Sequence, residues 1–191
     1  MNEVEAVKTK EQRIQLEAQL LEAGQVYFDL WKIGVNLALR ISDLLAITMV
    51  DVKSLNADAP ALNLVEQKTN KKRKIVVNSV ALQIMCRRLA DNPKHKYLFQ
   101  SEAHNISRGL QQALNRRSVC RVFKKAGKKI APKVAIGTHS MRKTRGYAMY
   151  DAGRSIESIC KVLNHSSPVI TMRYIGIDQR DIDRSYVEFE L

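Results

Sequence analysis

Cysteine is scarce in this chain of 191 residues. The three cysteines, Cys86, Cys120 and Cys160, are widely separated and form no CxxC pair. Three thiols cannot complete a disulfide framework and their spacing predicts no zinc site, so a reducing cytosol is the expected compartment. Each cysteine lies in an apolar helical pattern, which predicts a buried structural role.

Long hydrophobic runs are also missing. The opening residues are charged and lack the continuous apolar segment of a signal peptide. The longest apolar neighbourhood, residues 35–50, is interrupted by Arg40 and Asp43 and is therefore not expected to span a bilayer. No internal repeat or low-complexity linker divides the chain, so we expect one principal domain.

Acidic residues are in short supply relative to basic ones. Thirty-two Lys and Arg face nineteen Asp and Glu, for a net charge of +13 and a pI of about 9.8. This imbalance predicts a polyanionic partner, with nucleic acid ahead of a membrane surface. A basic surface that serves only solubility is the alternative that composition leaves open.

The apolar periodicity predicts a mainly α-helical domain with a small antiparallel β-sheet, an α+β fold. Residues 1–7 are expected to form a disordered lead, and Thr9 is expected to cap the first helix. Residues 51–55, 62–66 and 74–77 are predicted as strands, with 69–73 as a turn. The predicted helices that follow cover residues 79–91, 107–115 and 118–129.

Helix boundaries are clearest around the polar residues of interest. Ser42 is expected to cap a short helix, which would put Arg40 on the bend before it. Thr138 is predicted to cap a helix that stops at Gly153. Ser167 is followed by proline at the first helical position, a typical helix start.

Four polar residues near the C-terminal end have spacings that together suggest a phosphodiester-cleaving site. His139 and Arg142 are three residues apart and share one face of a helix. His165 directly precedes a helix N-terminus, where an anion is favoured. Tyr174 follows about two turns later. Each feature alone is typical of a solvated pair or a core tyrosine, but their order and spacing together are specific.

The stretches LALRISDLL, HSMR, LNHSS and TMRY resemble the conserved boxes of the tyrosine recombinases, the phage-integrase family. Judged from the order in which these stretches follow one another, the resemblance extends from about residue 27 to residue 174. It implies the catalytic-domain fold of that family. The catalytic residues that it implies are Arg40, His139, Arg142, His165 and the nucleophile Tyr174.

The resemblance also implies a catalytic lysine in a small hairpin. Lys68, in VEQKTNKKRKIVV, occupies that place best. Lys71, Lys72 and Lys74 lie in the same hairpin and stay open as alternatives.

The sequence departs from the family pattern at three places. Ala38 and Leu39 precede Arg40 where glycine is common, and Asn164 stands where glycine is common before the histidine. Lys143 takes the place of a frequent second histidine. None of these changes removes a reacting group, so we expect the chain to be active.

The implied reaction is cleavage and rejoining of double-stranded DNA through a 3′-phosphotyrosyl intermediate, without ATP, metal or other cofactor. Two alternatives remain: a type IB topoisomerase-like activity, and a catalytically inactive DNA-binding module. Discriminating between them requires a test for covalent protein–DNA complexes.

The expected organisation is a catalytic domain over residues 1–177 and a C-terminal tail over 178–191. The family generally carries an N-terminal DNA-clamping domain, which we expect to be absent from this sequence. The tail is expected to dock on a neighbouring protomer, and the family implies self-assembly, as a tetramer, on recombination sites. The expected location is the cytoplasm, on DNA, for a protein encoded by a bacterium, phage or plasmid, with no membrane partner.

Overall fold

The computed structural model of the protein describes residues 4–101, 111–130, 132, 134–177 and 186–188. These residues form a mainly helical fold with one small sheet. The elements are α1 (Lys10–Ala23), α2 (Gln25–Leu37), α3 (Ile41–Ala46), α4 (Met49–Lys53), β1 (Ala61–Val65), β2 (Lys72–Val76), α5 (Ser79–Asp91), α6 (Arg116–Ile130), α7 (Ser140–Asp151), α8 (Ile156–Val162) and α9 (Pro168–Ile175).

The larger core forms where α2 packs against α1, α5 and α7, and α1 packs against α6. Trp31 of α2 is fully buried and meets Phe123 of α6 edge to face, with ring centroids 5.7 Å apart. Apolar residues recur along α2 at helical spacing, so one stripe of this helix is covered. The mixed helix-and-hairpin architecture confirms the predicted α+β fold.

The sheet is a two-stranded antiparallel hairpin in which Ala61 pairs with Val76 and Val65 pairs with Lys72. Its turn covers residues 66–71 and not the predicted 69–73. The strand predicted at 51–55 is wrong, because most of that stretch lies in α4. Thr48 caps α4: its hydroxyl accepts from the Asp51 amide while the Asp51 carboxylate accepts from the Thr48 amide. This capping box outweighs the β-branched residues that suggested a strand.

A second, smaller apolar cluster holds α7, α8 and α9 together. Ile159, Leu163 and Ile175 are buried there, packed with Ala38 from the end of α2. Gly146 of α7 makes this packing possible. A Cβ atom on that glycine would lie only 2.6 Å from Cγ2 of Ile175. The cluster therefore fixes the position of α9 relative to α7.

The predicted disordered lead is wrong for the residues that the structure describes, 4–7. Ala6 and Val7 are buried. The Glu5 amide donates to the Ala135 carbonyl over 2.8 Å, and the Val7 amide donates to Thr144 Oγ1 over 2.9 Å. Two small apolar side chains and two hydrogen bonds thus fix a segment that was predicted to be disordered.

Other sequence predictions have mixed outcomes. The helix at 118–129 is confirmed by α6. Of the helix predicted at 107–115, residues 107–110 lie outside the described residues, and 111–115 are not helical because Ala113 forms a β-bridge with Gln100. Of the three predicted buried cysteines, Cys160 is buried, but Cys86 is exposed on α5 and Cys120 is half-buried.

Candidate active site

Arg40 lies on a bend between two helices, as predicted. The bend begins at Ala38, which caps α2 in the left-handed conformation with φ of 53°. Arg40 itself is extended and is the N-cap residue of α3, so the predicted Ser42 cap is wrong. A left-handed alanine costs about 1–2 kcal/mol. The structure accepts this cost at a position where Ala38 is fully buried in the cluster beneath the site.

The N-terminal end of α7 supplies His139 and Arg142. His139 is the N-cap residue, where Thr138 was predicted, and its side chain makes no capping hydrogen bond. The imidazole is therefore available to face the site. Arg142 is 2% exposed, and its Nη1 donates to the carbonyl of Ala38. This hydrogen bond connects α7 to the bend that carries Arg40.

His165 and Tyr174 come from the two ends of the segment that leads into and through α9. Ser167 caps α9 and Pro168 occupies its first turn, as predicted. His165 Nδ1 lies 3.1 Å from Thr171 Oγ1, one turn into the helix, which orients the ring. The rings of His165 and Tyr174 meet edge to face with centroids 4.8 Å apart.

The hydroxyl of Tyr174 reaches the residues of α7. His139 Nδ1 lies 3.3 Å from Tyr174 Oη. Nζ of Lys143, one residue after Arg142, lies 5.0 Å from the centroid of the Tyr174 ring. Lys143 is 5% exposed, which is rare for lysine. Sequence reasoning noted Lys143 merely as a departure from a pattern. Its place four residues after His139 was the signal that it faces the same site.

Lys68 is the sixth predicted residue. It lies in the turn of the hairpin and is exposed. In the described part of the chain it forms no hydrogen bond or ion pair with the other five predicted residues. The neighbouring Thr69 is fixed, because its hydroxyl donates to Glu66 over 2.8 Å. The structure thus brings five predicted residues together and puts Lys68 on a turn anchored beside them.

Sequence reasoning missed Glu66, which is fully buried beneath the site. Its Oε2 lies 2.7 Å from Arg40 Nη1 and accepts a 2.7 Å hydrogen bond from Asn164 Nδ2. Its Oε1 pairs with Arg73 Nη1 at 3.1 Å. Burial alone would raise the pKa of this carboxyl. The hydrogen bonds from Thr69, Arg40 and Asn164 and the charge of Arg40 outweigh that effect and lower the pKa to about 2. Glu66 is an anion at neutral pH.

Burial and neighbouring cations keep both histidines neutral. The pKa of His165 falls to about 4, because of burial and then because of the charges of Arg142 and Arg40. The pKa of His139 is also lowered, first by burial and then by nearby cations that include Arg116. Burial lowers the pKa of Arg142 to about 10, so this side chain stays charged. The site presents two guanidinium groups and two neutral imidazoles around one phenol.

A basic groove opens beside His139. It has a volume of about 640 Å³ and runs along α6, where Arg116, Lys124 and Lys128 line it. These side chains are eight and four residues apart, with Cys120 midway between the first two, so they lie along one side of the helix. The positively charged side chains of the groove extend to the edge of the site, an arrangement that suits binding of a nucleic-acid phosphate backbone.

The described residues hold no group of three or more His, Cys, Asp and Glu side chains that could bind a metal ion. Within the same residues, no helix combines the length and apolar character needed to cross a membrane.

Comparison with known families decides the class of the protein, because residues 8–180 match the Phage integrase family. The chain belongs to the phage integrase family. It is accordingly a tyrosine recombinase, an enzyme that breaks and rejoins DNA in site-specific recombination. The resemblance seen in the sequence is thereby confirmed.

Individual proteins that resemble this integrase-family chain are themselves named integrases or recombinases. It is 34% identical over 189 residues to the probable integrase/recombinase YoeC of Bacillus subtilis (strain 168), covering 99% of this chain and 98% of that protein. The fold is similar to that of XerA recombinase (TM-score 0.73, 15% identity) and of the Tn1549 transposon integrase in complex with transposon right end DNA (TM-score 0.71, 20% identity). Each comparison covers 98% of this chain and 66% of the solved structure.

Proposed function

We propose that Tyr174 is the nucleophile of a DNA-cleaving site. Its oxygen attacks the scissile phosphorus, the P–O5′ bond breaks, and the products are a 3′-phosphotyrosyl linkage and a free 5′-hydroxyl. The phosphodiester energy is conserved in the new linkage, so attack by a 5′-hydroxyl rejoins the strand without ATP. The observation that carries this proposal is the 3.3 Å approach of His139 Nδ1 to Tyr174 Oη, beside two arginines.

His139 acts as the proton acceptor for the attacking phenol. A phenol has a pKa of about 10, so it needs a base to act at neutral pH. The pKa of His139 is lowered, which keeps the imidazole neutral and able to accept the proton. In the rejoining step the same imidazolium returns the proton to Tyr174.

Arg40 and Arg142 stabilise the charge that grows on the non-bridging oxygens of the phosphate. A guanidinium group suits this role because it donates two parallel hydrogen bonds to an oxyanion. His165 adds a further hydrogen bond to the same phosphate. Its contact with Thr171 fixes the ring while the edge-to-face contact keeps it beside Tyr174.

Lys68 is the proposed general acid. It donates a proton to the departing O5′ oxygen, so both proton transfers of the reaction have a partner. What supports this assignment is the position of Lys68 on a turn that Thr69 and Glu66 anchor next to Arg40. Exposure of the side chain leaves it room to reach a bound duplex.

The substrate is double-stranded DNA, held largely through its phosphates. The net charge of +13 and the basic groove along α6 support this assignment. We further propose that recombination proceeds in an assembly of four protomers, with the 178–191 tail of each docked on its neighbour. Apolar residues in that tail, among them Ile182, Val187 and Phe189, are too many for a short segment to bury alone.

A suicide DNA substrate, nicked so that the cleaved end diffuses away, tests the proposal. Wild-type protein should become covalently linked to the 3′ end, and Tyr174→Phe should bind DNA with wild-type affinity and form no linkage. Tyr186→Phe is the matched control, because Tyr186 is 79% exposed and lies beyond α9. Covalent linkage by the Tyr174→Phe protein would overturn the assignment. Relaxation of supercoiled plasmid without strand exchange would assign the activity to a topoisomerase.

A further inference from the structure

Glu66 lies at the meeting point of three segments of the site, and none of the proposed chemical steps uses it. Its carboxylate contacts Arg40 on the bend before α3, Thr69 in the hairpin turn and Asn164 in the loop before α9. Arg73 from β2 pairs with the second oxygen and also donates to the carbonyl of Val162 at the end of α8. One buried side chain therefore links the bend that carries Arg40, the hairpin and the loop that leads to His165.

The charge of Glu66 has a particular consequence for Arg40. After burial, the charges of Arg40 and Arg73 contribute to the lowered pKa of Arg142, and Glu66 is the acid that pairs with both Arg40 and Arg73. Without that anion, Arg40 and Arg73 would face each other uncompensated in a partly buried setting. Like charges that contact the same carboxylate repel strongly once it is neutral, where water is largely excluded. Arg40 would then move outward, away from the position that a phosphate requires.

Asn164 connects Glu66 to the loop that carries His165. Its φ of 46° is left-handed, a conformation that asparagine tolerates better than most residues. In that conformation its amide reaches Glu66 over 2.7 Å, and the next residue is His165. The side chain of Asn164 thus ties the loop that presents His165 to the acid that holds Arg40.

From these contacts we infer that Glu66 is a positioning residue for the cleavage reaction. It fixes Arg40 for contact with the scissile phosphate. It also holds the hairpin turn and the His165 loop in fixed positions relative to Arg40. It touches no reacting atom itself. This inference rests on the proposed function, since it assigns Glu66 to the same phosphate site.

The test is a double-mutant cycle on single-turnover cleavage of the suicide substrate. Glu66→Gln keeps the size of the side chain and removes its charge. It should lower the rate of covalent linkage by about tenfold or more, as expected for a misplaced catalytic group, with DNA affinity unchanged. In an Arg40→Ala background the same change should cost markedly less rate than in the wild type, because the part of the effect that acts through Arg40 is already lost.

Glu66→Asp provides the second variant and guards against a failure of Glu66→Gln to fold. It retains the charge and should recover most of the lost rate, as measured on protein whose thermal unfolding is cooperative. Glu22→Gln is the matched control, because Glu22 forms an exposed ion pair with Lys129. The Glu22→Gln protein should cleave DNA at the wild-type rate. Wild-type and Tyr174→Phe reactions in the same series report on the proposed function separately from Glu66.

Three outcomes would overturn the inference. Equal rate losses from Glu66→Gln in the wild-type and Arg40→Ala backgrounds would make Glu66 a general stability residue. Faster cleavage by Glu66→Gln would mean that the carboxylate competes with phosphate for Arg40. If Glu66→Gln lowered DNA affinity and the cleavage rate by the same factor, Glu66 would contribute to DNA binding and not to the cleavage step.

Discussion

Gly146 offers a direct way to move the nucleophile without touching it. A Cβ atom at this position would lie 2.6 Å from Cγ2 of Ile175 and 3.0 Å from Cδ1 of Leu163. Ile175 is 1% exposed and is branched at Cβ, so its methyl group cannot swing aside. Ile175 directly follows Tyr174, and pushing it outward therefore moves the nucleophile.

The size of the effect follows from these distances. Carbon atoms in contact lie about 3.5–4.0 Å apart, so Gly146→Ala requires α9 to shift by about 1 Å. Overpacking of this kind costs about 1–3 kcal/mol, and alanine returns about 1 kcal/mol through its higher helix propensity. Net destabilisation should be roughly 0–2 kcal/mol. Cleavage should suffer more, because a misplacement of about 1 Å can cost a hundredfold in rate.

Two measurements on Gly146→Ala separate stability from catalysis: urea unfolding and the single-turnover rate of covalent linkage. Gly153→Ala is the matched control at the end of α7. Its φ of 73° makes alanine strained by about 1–2 kcal/mol, yet nothing lies within 4 Å of the added Cβ. The control should lose stability and cleave normally. Wild-type cleavage by a folded Gly146→Ala protein would refute the claim that close packing of α7 and α9 sets the position of Tyr174.

Three further predictions address charge, pH and assembly. Arg40→Lys and Arg142→Lys should each slow covalent linkage by about a hundredfold, because an ammonium cannot make the two-pronged phosphate contact, while EDTA should leave wild-type cleavage unchanged. A magnesium requirement in that step would contradict the mechanism. The pKa of His165 is lowered to about 4 by burial and by nearby arginines, so the unfolded state takes up its proton first. The free energy of unfolding should therefore fall as the pH drops from about 6.5 towards 4, and His165→Gln, followed by urea unfolding at several pH values, should flatten that slope. Deletion of residues 178–191 should spare DNA binding by the monomer and abolish ordered assembly and strand exchange; unchanged sedimentation and exchange would exclude the docking role.

Local sequence signals predicted the elements that carry most of the site. Ser167 and Pro168 define the start of α9 within a few residues, and helical spacing fixes which side chains of α7 face together. Such signals succeed because caps and periodicity depend on neighbours along the chain. The bend at Arg40 was predictable for the same reason, although the cap itself proved to be Arg40 and not Ser42.

Features that depend on tertiary contacts were not visible in the sequence. Glu66 resembles any charged residue at a strand end until the fold surrounds it with Arg40, Arg73 and Asn164. Residues 4–7 were predicted to be disordered, and their order comes from hydrogen bonds to partners more than a hundred residues away along the chain. The false strand at 51–55 shows the reverse case, where a cap four residues long outweighed β-propensity.

The segment that precedes α1 has a mechanical consequence. Its Val7 amide donates to Thr144 in the middle of α7, and Lys8 Nζ donates to the carbonyl of Gly176, two residues after Tyr174. A force applied to the chain ahead of Val4 is therefore transmitted to both helices that meet at the nucleophile. We therefore expect a purification tag or fused domain at that end to disturb these two hydrogen bonds, and a bulky group on the exposed Cys86 of α5 to leave them intact.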